Sequence, residues 1–220
     1  MRRTPVYIVC SPRPLVGKTL VARQLCEFLI LKNGTVSAFD INLKEPSLLD
    51  YLPEVTETAE IDDTYGKMAL MDRLIINDGL AKVIDLGFHA FDEFFRMVEE
   101  IGFIKEASRR GVVPIVMFVA DIDRNSARGQ AMLQRQIPAD NMVTIDNEYI
   151  LRGEMPEAFI GHGRILRIFA LQAFLKTYVD RLTFSFTDYL RSKKDAQSEL
   201  HEWIRENYIN FRDLEQELTS

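Results

Sequence analysis

The sequence predicts an α/β fold, a mostly parallel β-sheet covered by helices on both faces, with a C-terminal helical layer. Three observations predict it. Short apolar, β-branched runs alternate with longer stretches of helical periodicity through about the first 150 residues. These runs carry no charge at their centres, as strands buried on both faces require. After Gly161-His162-Gly163 only helical spacing is read.

Val6-Tyr7-Ile8-Val9-Cys10 reads as the first strand, and Gly17 to Leu31 follows as a helix with Val21, Leu25, Phe28 and Leu29 on one face. Val36 to Asp40 is the second strand. Pro53 to Asp63 then holds Glu54, Glu57, Glu60, Asp62 and Asp63 without a basic residue, and reads as a solvated acidic loop or, alternatively, a functional lid. Helical spacing over Tyr65–Asn77, Phe91–Arg109 and Ser126–Gln136 alternates with strands at Lys82 to Leu86, Val112 to Ala120 and Met142 to Ile145, giving at least five strands. One long helical stretch reaching about Leu190 and a second over Ala196 to Leu218 complete the chain. Residues 1–220 are expected to form one domain, with the core sheet and its site in 1–150 and the helical layer in 163–220.

Composition narrows the function. With 47% hydrophobic residues the 220-residue chain buries a substantial core, and a net charge of −6 disfavours nucleic acid and anionic membranes on average. DNA is therefore not an expected partner, although a local contact stays open. Cys10 and Cys26 lie in apolar runs without metal-ligand spacing, which fits buried reduced thiols. The apolar run after Met1-Arg2-Arg3-Thr4-Pro5 is too short for an export signal, and Ile165 to Val179 is broken by Arg167, Gln172 and Lys176. A cytoplasmic protein that does not span a membrane is expected.

The chemistry lies in Ser11-Pro12-Arg13-Pro14-Leu15-Val16-Gly17-Lys18-Thr19, which joins the first strand directly to a long helix. That is the setting of a phosphate-binding loop. Backbone N–H groups of the loop and first helical turn converge on an anion and the helix dipole favours negative charge. Lys18 reaches the outer phosphates, Thr19 ligates Mg²⁺, and Gly17 lets the backbone approach closely. Two strands downstream end in aspartate, Asp40 and Asp85.

Ser11–Thr19, followed by Phe39-Asp40-Ile41-Asn42 and Glu45-Pro46-Ser47-Leu48-Leu49, resembles the deviant Walker A family of P-loop NTPases that includes ParA and MinD. Val83-Ile84-Asp85-Leu86-Gly87 is similar to that family's Walker B strand, and Val119 to Ser126 to the turn after its next core strand. The resemblance implies a three-layer P-loop fold that binds ATP (or GTP) with Mg²⁺. It implies nucleotide contacts at Gly17, Lys18, Thr19, Leu20, Gly87 and Asn147, the metal bound by Thr19 and held through water by Asp40 and Asp85, and catalytic roles for Lys18, Asp40, Asn42 and Arg13. Gly87 would offer its N–H to the γ-phosphate. Asn147 either reads the base or is a turn residue.

The loop is degenerate relative to that family. Pro12 takes the first glycine position of the phosphate-loop pattern, and Pro12 and Pro14 each lack an N–H. Arg13 stands where the family has the lysine that reaches across a nucleotide-sandwich dimer; it either keeps that role with a bidentate grip or is a loop arginine in solvent. Asn42 stands where the family has the aspartate that activates water, and a carboxamide cannot act as a general base, although it can orient a water. Slow or absent hydrolysis is expected.

His89 reads as a turn residue before a helix or as a phosphate sensor. The stripe Leu200, Trp203, Ile204, Tyr208, Phe211, Leu214 and Leu218 lies among six acids between Glu199 and Glu217, which favours core packing or a protein partner over lipid. Arg191-Ser192-Lys193-Lys194 reads as a solvated helix end. Three functional classes follow: a ParA/MinD-like dimeric switch that recruits or positions an unidentified protein partner, a metabolic P-loop ligase or kinase of the dethiobiotin synthetase type, and a nucleotide-binding scaffold without catalysis.

Overall fold

The computed structural model describes residues 3–42, 47–153, 155–192 and 196–219. Met1-Arg2, Glu45-Pro46 and Lys193-Lys194, all singled out in the sequence, lie outside the described residues.

Among the described residues, seven strands form one sheet in the order β3-β2-β4-β1-β5-β6-β7. They are β1 (Thr4–Cys10), β2 (Ser37–Ile41), β3 (Thr56–Thr58), β4 (Lys82–Leu86), β5 (Val112–Val119), β6 (Met142–Asn147) and β7 (Arg164–Ile168). Every pairing is parallel. The helices are α1 (Lys18–Asn33), α2 (Leu48–Tyr51), α3 (Thr64–Leu74), α4 (Phe91–Glu100), α5 (Phe103–Arg109), α6 (Arg124–Gln136), α7 (Glu148–Leu151), α8 (Ala173–Val179), α9 (Phe186–Arg191) and α10 (Glu199–Thr219).

The two-residue period of a strand divides the core between the faces of the sheet. In β1, Tyr7 and Val9 join one hydrophobic cluster with α1, α9 and α10. Val6, Ile8 and Cys10 join the other, with α3, α4, α5 and α6. This division follows from crossover hand. The connections β1-α1-β2 and β2-α2-β3 run toward one edge of the sheet, whereas β3-α3-β4, β4-α4-α5-β5 and β5-α6-β6 run toward the other. With every crossover right-handed, the two sets must cover opposite faces.

The α/β class and the five predicted strands stand, but three readings need correction. The supposed helical layer from 163 begins with a strand, β7, in which Leu166 and Ile168 are buried while Ile165 and Arg167 are exposed. That alternation has period 2, and its charged positions suit an edge strand. The acidic loop contains β3, which pairs with β2 on the opposite edge, and Glu57 within it forms an ion pair with Arg73. The helix expected over Phe91–Arg109 is two, broken where Gly102 adopts φ +62°.

Two helices also differ in what covers them. α1 is buried nearly all round, because α9 and α10 pack over the side that its amphipathic pattern left to solvent. The stripe of α10 supplies that cover, with Leu200, Trp203, Ile204, Tyr208, Phe211 and Leu214 all buried. Phe28 meets Tyr208 edge-on at 5.5 Å. Among the described residues no helix is long and apolar enough to cross a membrane.

Candidate nucleotide site

Parallel strands put their carboxyl ends along one edge, and a crevice forms there where successive connections leave in opposite directions. Here that point is β1, flanked by β4 and β5. The loop after β1 lines a cavity of about 670 Å³, together with Asn42, Ser47, Asp85, Phe88, Asn147, Lys176, Asp180 and Trp203.

Strand register sets the polar end of the cavity. Val9, Asp85 and Asp40 lie level on adjacent strands. In β4, Val83 packs on the α1 side and Ile84 and Leu86 on the other, so alternation turns Asp85 toward the start of α1. There the Thr19 hydroxyl donates to Asp85 Oδ2 at 2.7 Å and lies 3.1 Å from Ser47 Oγ. Burial lifts the Asp85 carboxyl to about 7, with Asp40 adding to the rise and Thr19 and Lys18 opposing it. Lys18 is itself pushed down by burial, against the pull of Asp85.

The loop after β1 leads into a helix start that no side chain caps. Gly17 caps α1 in the left-handed region at φ +92°, without a side-chain cap, and no acid occupies the first turn. The first-turn N–H groups have no intrahelical acceptor, so they face the cavity mouth as donors. A Cβ on Gly17 would also stand 2.8 Å from Asn147 Nδ2. Pro12 has a packing reason: a Cβ on Gly129 of α6 would lie 2.9 Å from Pro12 Cγ, so the proline sits in a slot that only glycine leaves open. Leu15, at the loop tip, is 95% exposed and has φ +59°.

The remaining expected site residues divide. Gly17, Lys18, Thr19, Leu20, Asn42, Asp85, Gly87 and Asn147 all line the cavity. Asp40 does not: its carboxylate accepts from the backbone N–H groups of Asn42 at 3.0 Å, Leu48 at 2.9 Å and Leu49 at 3.2 Å, and from Ser47. In place of the water-mediated hold on the metal expected from sequence, Asp40 clamps the segment that carries Ser47. Gly87 donates its N–H to Ile41 O at 3.2 Å, continuing the β2–β4 ladder by one residue, so that donor is not directed at a phosphate. Asn147 caps α7 through Tyr149 N at 3.2 Å and donates to Val16 O at 2.9 Å. Its amide anchors the loop after β1.

Arg13 is not a solvent arginine. Its Nε lies 3.3 Å from Asp121 Oδ2 and 3.8 Å from Asp123 Oδ1, which ties the loop to the turn after β5. Lys18 Nζ donates to Arg13 O at 2.6 Å and sits 5.9 Å from the Phe88 ring centroid. His89 lines the cavity mouth. Cys10 and Cys26 are buried free thiols whose titration burial pushes upward.

The apolar half of the cavity escaped the sequence reading. Ile168, Phe169, Leu171, Val179 and Trp203 line it, with the Lys176–Asp180 ion pair at 2.6 Å on its rim. Arg23, one turn beyond Thr19, holds this wall by donating to Val179 O at 2.8 Å and to Phe184 O while pairing with Glu27 at 3.3 Å. Charged residues on a helix with an apolar stripe were the available signal, since Arg23 and Glu27 share a face of α1.

The donor set suits a hard cation. Among the described residues no group of three His, Cys, Asp or Glu side chains converges as a metal site. Any cation here would rest on hydroxyl oxygens, the Asp85 charge and phosphate oxygens, which is how Mg²⁺ is held beside nucleotides.

No protein-family model matches the chain, and no curated protein matches it. Among solved structures it is similar to a chain of the MinC:MinD cell division protein complex of Aquifex aeolicus, at 14% sequence identity over 97% of this chain and 96% of that chain, with a TM-score of 0.48.

Proposed function

We propose that this chain is a ParA/MinD-like nucleotide-binding protein that takes ATP or GTP with Mg²⁺, hydrolyses it slowly, and pairs with a second copy to recruit or position a protein partner. One observation supports it most: the uncapped N-terminus of α1, Lys18 and the Thr19–Asp85 contact of 2.7 Å meet in a single cavity at the switch point of a parallel sheet. Lys18 would leave Arg13 O for the outer phosphates. Thr19 would hold the metal, with Asp85 fixing the Thr19 hydroxyl and balancing charge. When bound, Mg²⁺ would neutralise the phosphate oxygens.

Slow hydrolysis follows from the residues around the γ-phosphate end. Asn42 lines the cavity but cannot take a proton from water. The Gly87 N–H is committed to Ile41 O, and the Arg13 guanidinium to Asp121. These commitments also favour the second reading, a scaffold that binds nucleotide without turnover.

Titration calorimetry with millimolar ATP and GTP in Mg²⁺ tests the proposal. Binding is expected in the wild type and a loss of at least about tenfold in Lys18→Ala, which removes a charge-assisted contact of roughly 1.5–3 kcal/mol. A folded wild type that binds neither nucleotide would overturn the reading. Phosphate release by the nucleotide-bound protein then separates switch from scaffold.

A further inference from the structure

We propose that the hydroxyl of Ser47 is a direct ligand of the divalent cation, a role that rests on the nucleotide–Mg²⁺ reading and adds to the site a residue from the segment entering α2. A threonine hydroxyl has one proton and two lone pairs. With its proton directed to Asp85 Oδ2 at 2.7 Å, Thr19 Oγ1 is left as the acceptor in the 3.1 Å contact with Ser47. Two hydroxyl oxygens therefore face each other beside a carboxylate, and Thr19, Ser47 and Asp85 all line the cavity.

The spacing suits Mg²⁺. Oxygens occupying adjacent octahedral positions at about 2.0–2.1 Å from the metal lie about 2.9 Å apart. Thr19 Oγ1 and Ser47 Oγ, at 3.1 Å, already stand at that separation, so both can turn a lone pair to one cation with little backbone movement. Asp85, bonded to the Thr19 hydroxyl, stays outside the shell and orients it.

Ser47 is also held in place. The Asp40 carboxylate accepts from the amides of Ser47, Leu48 and Leu49, and Leu48 is fully buried in the core. This gives Asp40 a positioning role in place of the water-mediated metal role expected from sequence. Ser47 makes no side-chain capping bond to α2, so removing its hydroxyl takes no cap from the helix.

The test is Mg²⁺-dependent ATP binding by the full chain, measured by calorimetry in the wild type, Ser47→Ala and Ser47→Thr, each also measured in EDTA. Ser47→Ala is expected to raise the Mg²⁺ concentration at half-effect by about tenfold, with ATP affinity in EDTA unchanged, and Ser47→Thr to restore the wild-type value. An unshifted midpoint in Ser47→Ala overturns the proposal while leaving nucleotide binding intact. Equal weakening with and without Mg²⁺ assigns Ser47 to loop packing and also overturns it, as does wild-type ATP binding that ignores Mg²⁺. A wild type that binds no ATP at all removes the underlying reading together with the ligand role.

Discussion

Asp85 shows how a residue suited to a ligand burdens the protein without one. Its carboxyl, ordinarily titrating at 3.8, titrates at about 7 in the fold because burial disfavours the charge. Between those values the folded protein keeps a proton that the unfolded chain releases. Stability of the metal-free protein therefore falls as pH rises from about 4 to 7 and levels off above, a difference of roughly 4 kcal/mol from this group. Asp85→Asn removes that slope while its amide oxygen still accepts from Thr19. Urea denaturation in EDTA should find Asp85→Asn more stable than the wild type at pH 8 and close to it at pH 4. A variant less stable at pH 8 would show that the carboxylate is not destabilised by its site. Lys18, Thr19 and Asp85 were legible in sequence because strand-loop-helix spacing and a strand-end acid fix their direction. Asp40, Gly87 and Asn147 were half legible. Their positions at strand ends were foreseen, but an acceptor or donor there can serve ligand or backbone alike, and only the path of neighbouring chain decides.

The loop after β1 gains its shape from elements distant in sequence. Asn147 from the end of β6 holds Val16 O, Arg13 reaches the turn after β5, and Pro12 enters the slot at Gly129 in α6. Gly129→Ala tests the last contact with opposing terms. Alanine gains about 1 kcal/mol of helix propensity, and overpacking against Pro12 Cγ at 2.9 Å costs about 1–3 kcal/mol. Net stability should fall by no more than about 2 kcal/mol, whereas ATP binding should weaken severalfold although residue 129 does not line the cavity. Pairing the change with Pro12→Gly, which empties the slot, should recover part of the affinity; equal affinities in Gly129→Ala and wild type would show that the loop does not depend on α6. The strands β1, β2, β4, β5 and β6 were readable because each is an apolar run bounded by turn residues. β7 was not, because an edge strand mixes arginines with its apolar residues and its five residues merged with the helical spacing that follows. That misreading also hid the apolar wall at Ile168, Phe169 and Leu171.

At the scale of the molecule, the sheet leaves its carboxyl edge as the face where the site opens. α1, α9 and α10 close one broad face and α3 to α6 the other, so the stripe of α10 is spent on the core. Exposed apolar side chains remain at this edge: Leu15 on the loop after β1, Ile122 on the turn after β5 and Tyr149 on α7, exposed by 95%, 74% and 56%. Burying such groups drives association, and nucleotide at the same edge would neutralise Lys18 between two copies. The proposed pairing of two copies face to face therefore predicts that light scattering registers a dimer with ATP and Mg²⁺ and a smaller species without them. Ile122→Lys, which adds charge at this edge outside the residues lining the cavity, should bind ATP as the wild type does yet stay monomeric. A wild type whose mass is the same with and without nucleotide removes the dimeric switch. Nucleotide-dependent dimers of Ile122→Lys at wild-type strength would move the interface away from the turn after β5.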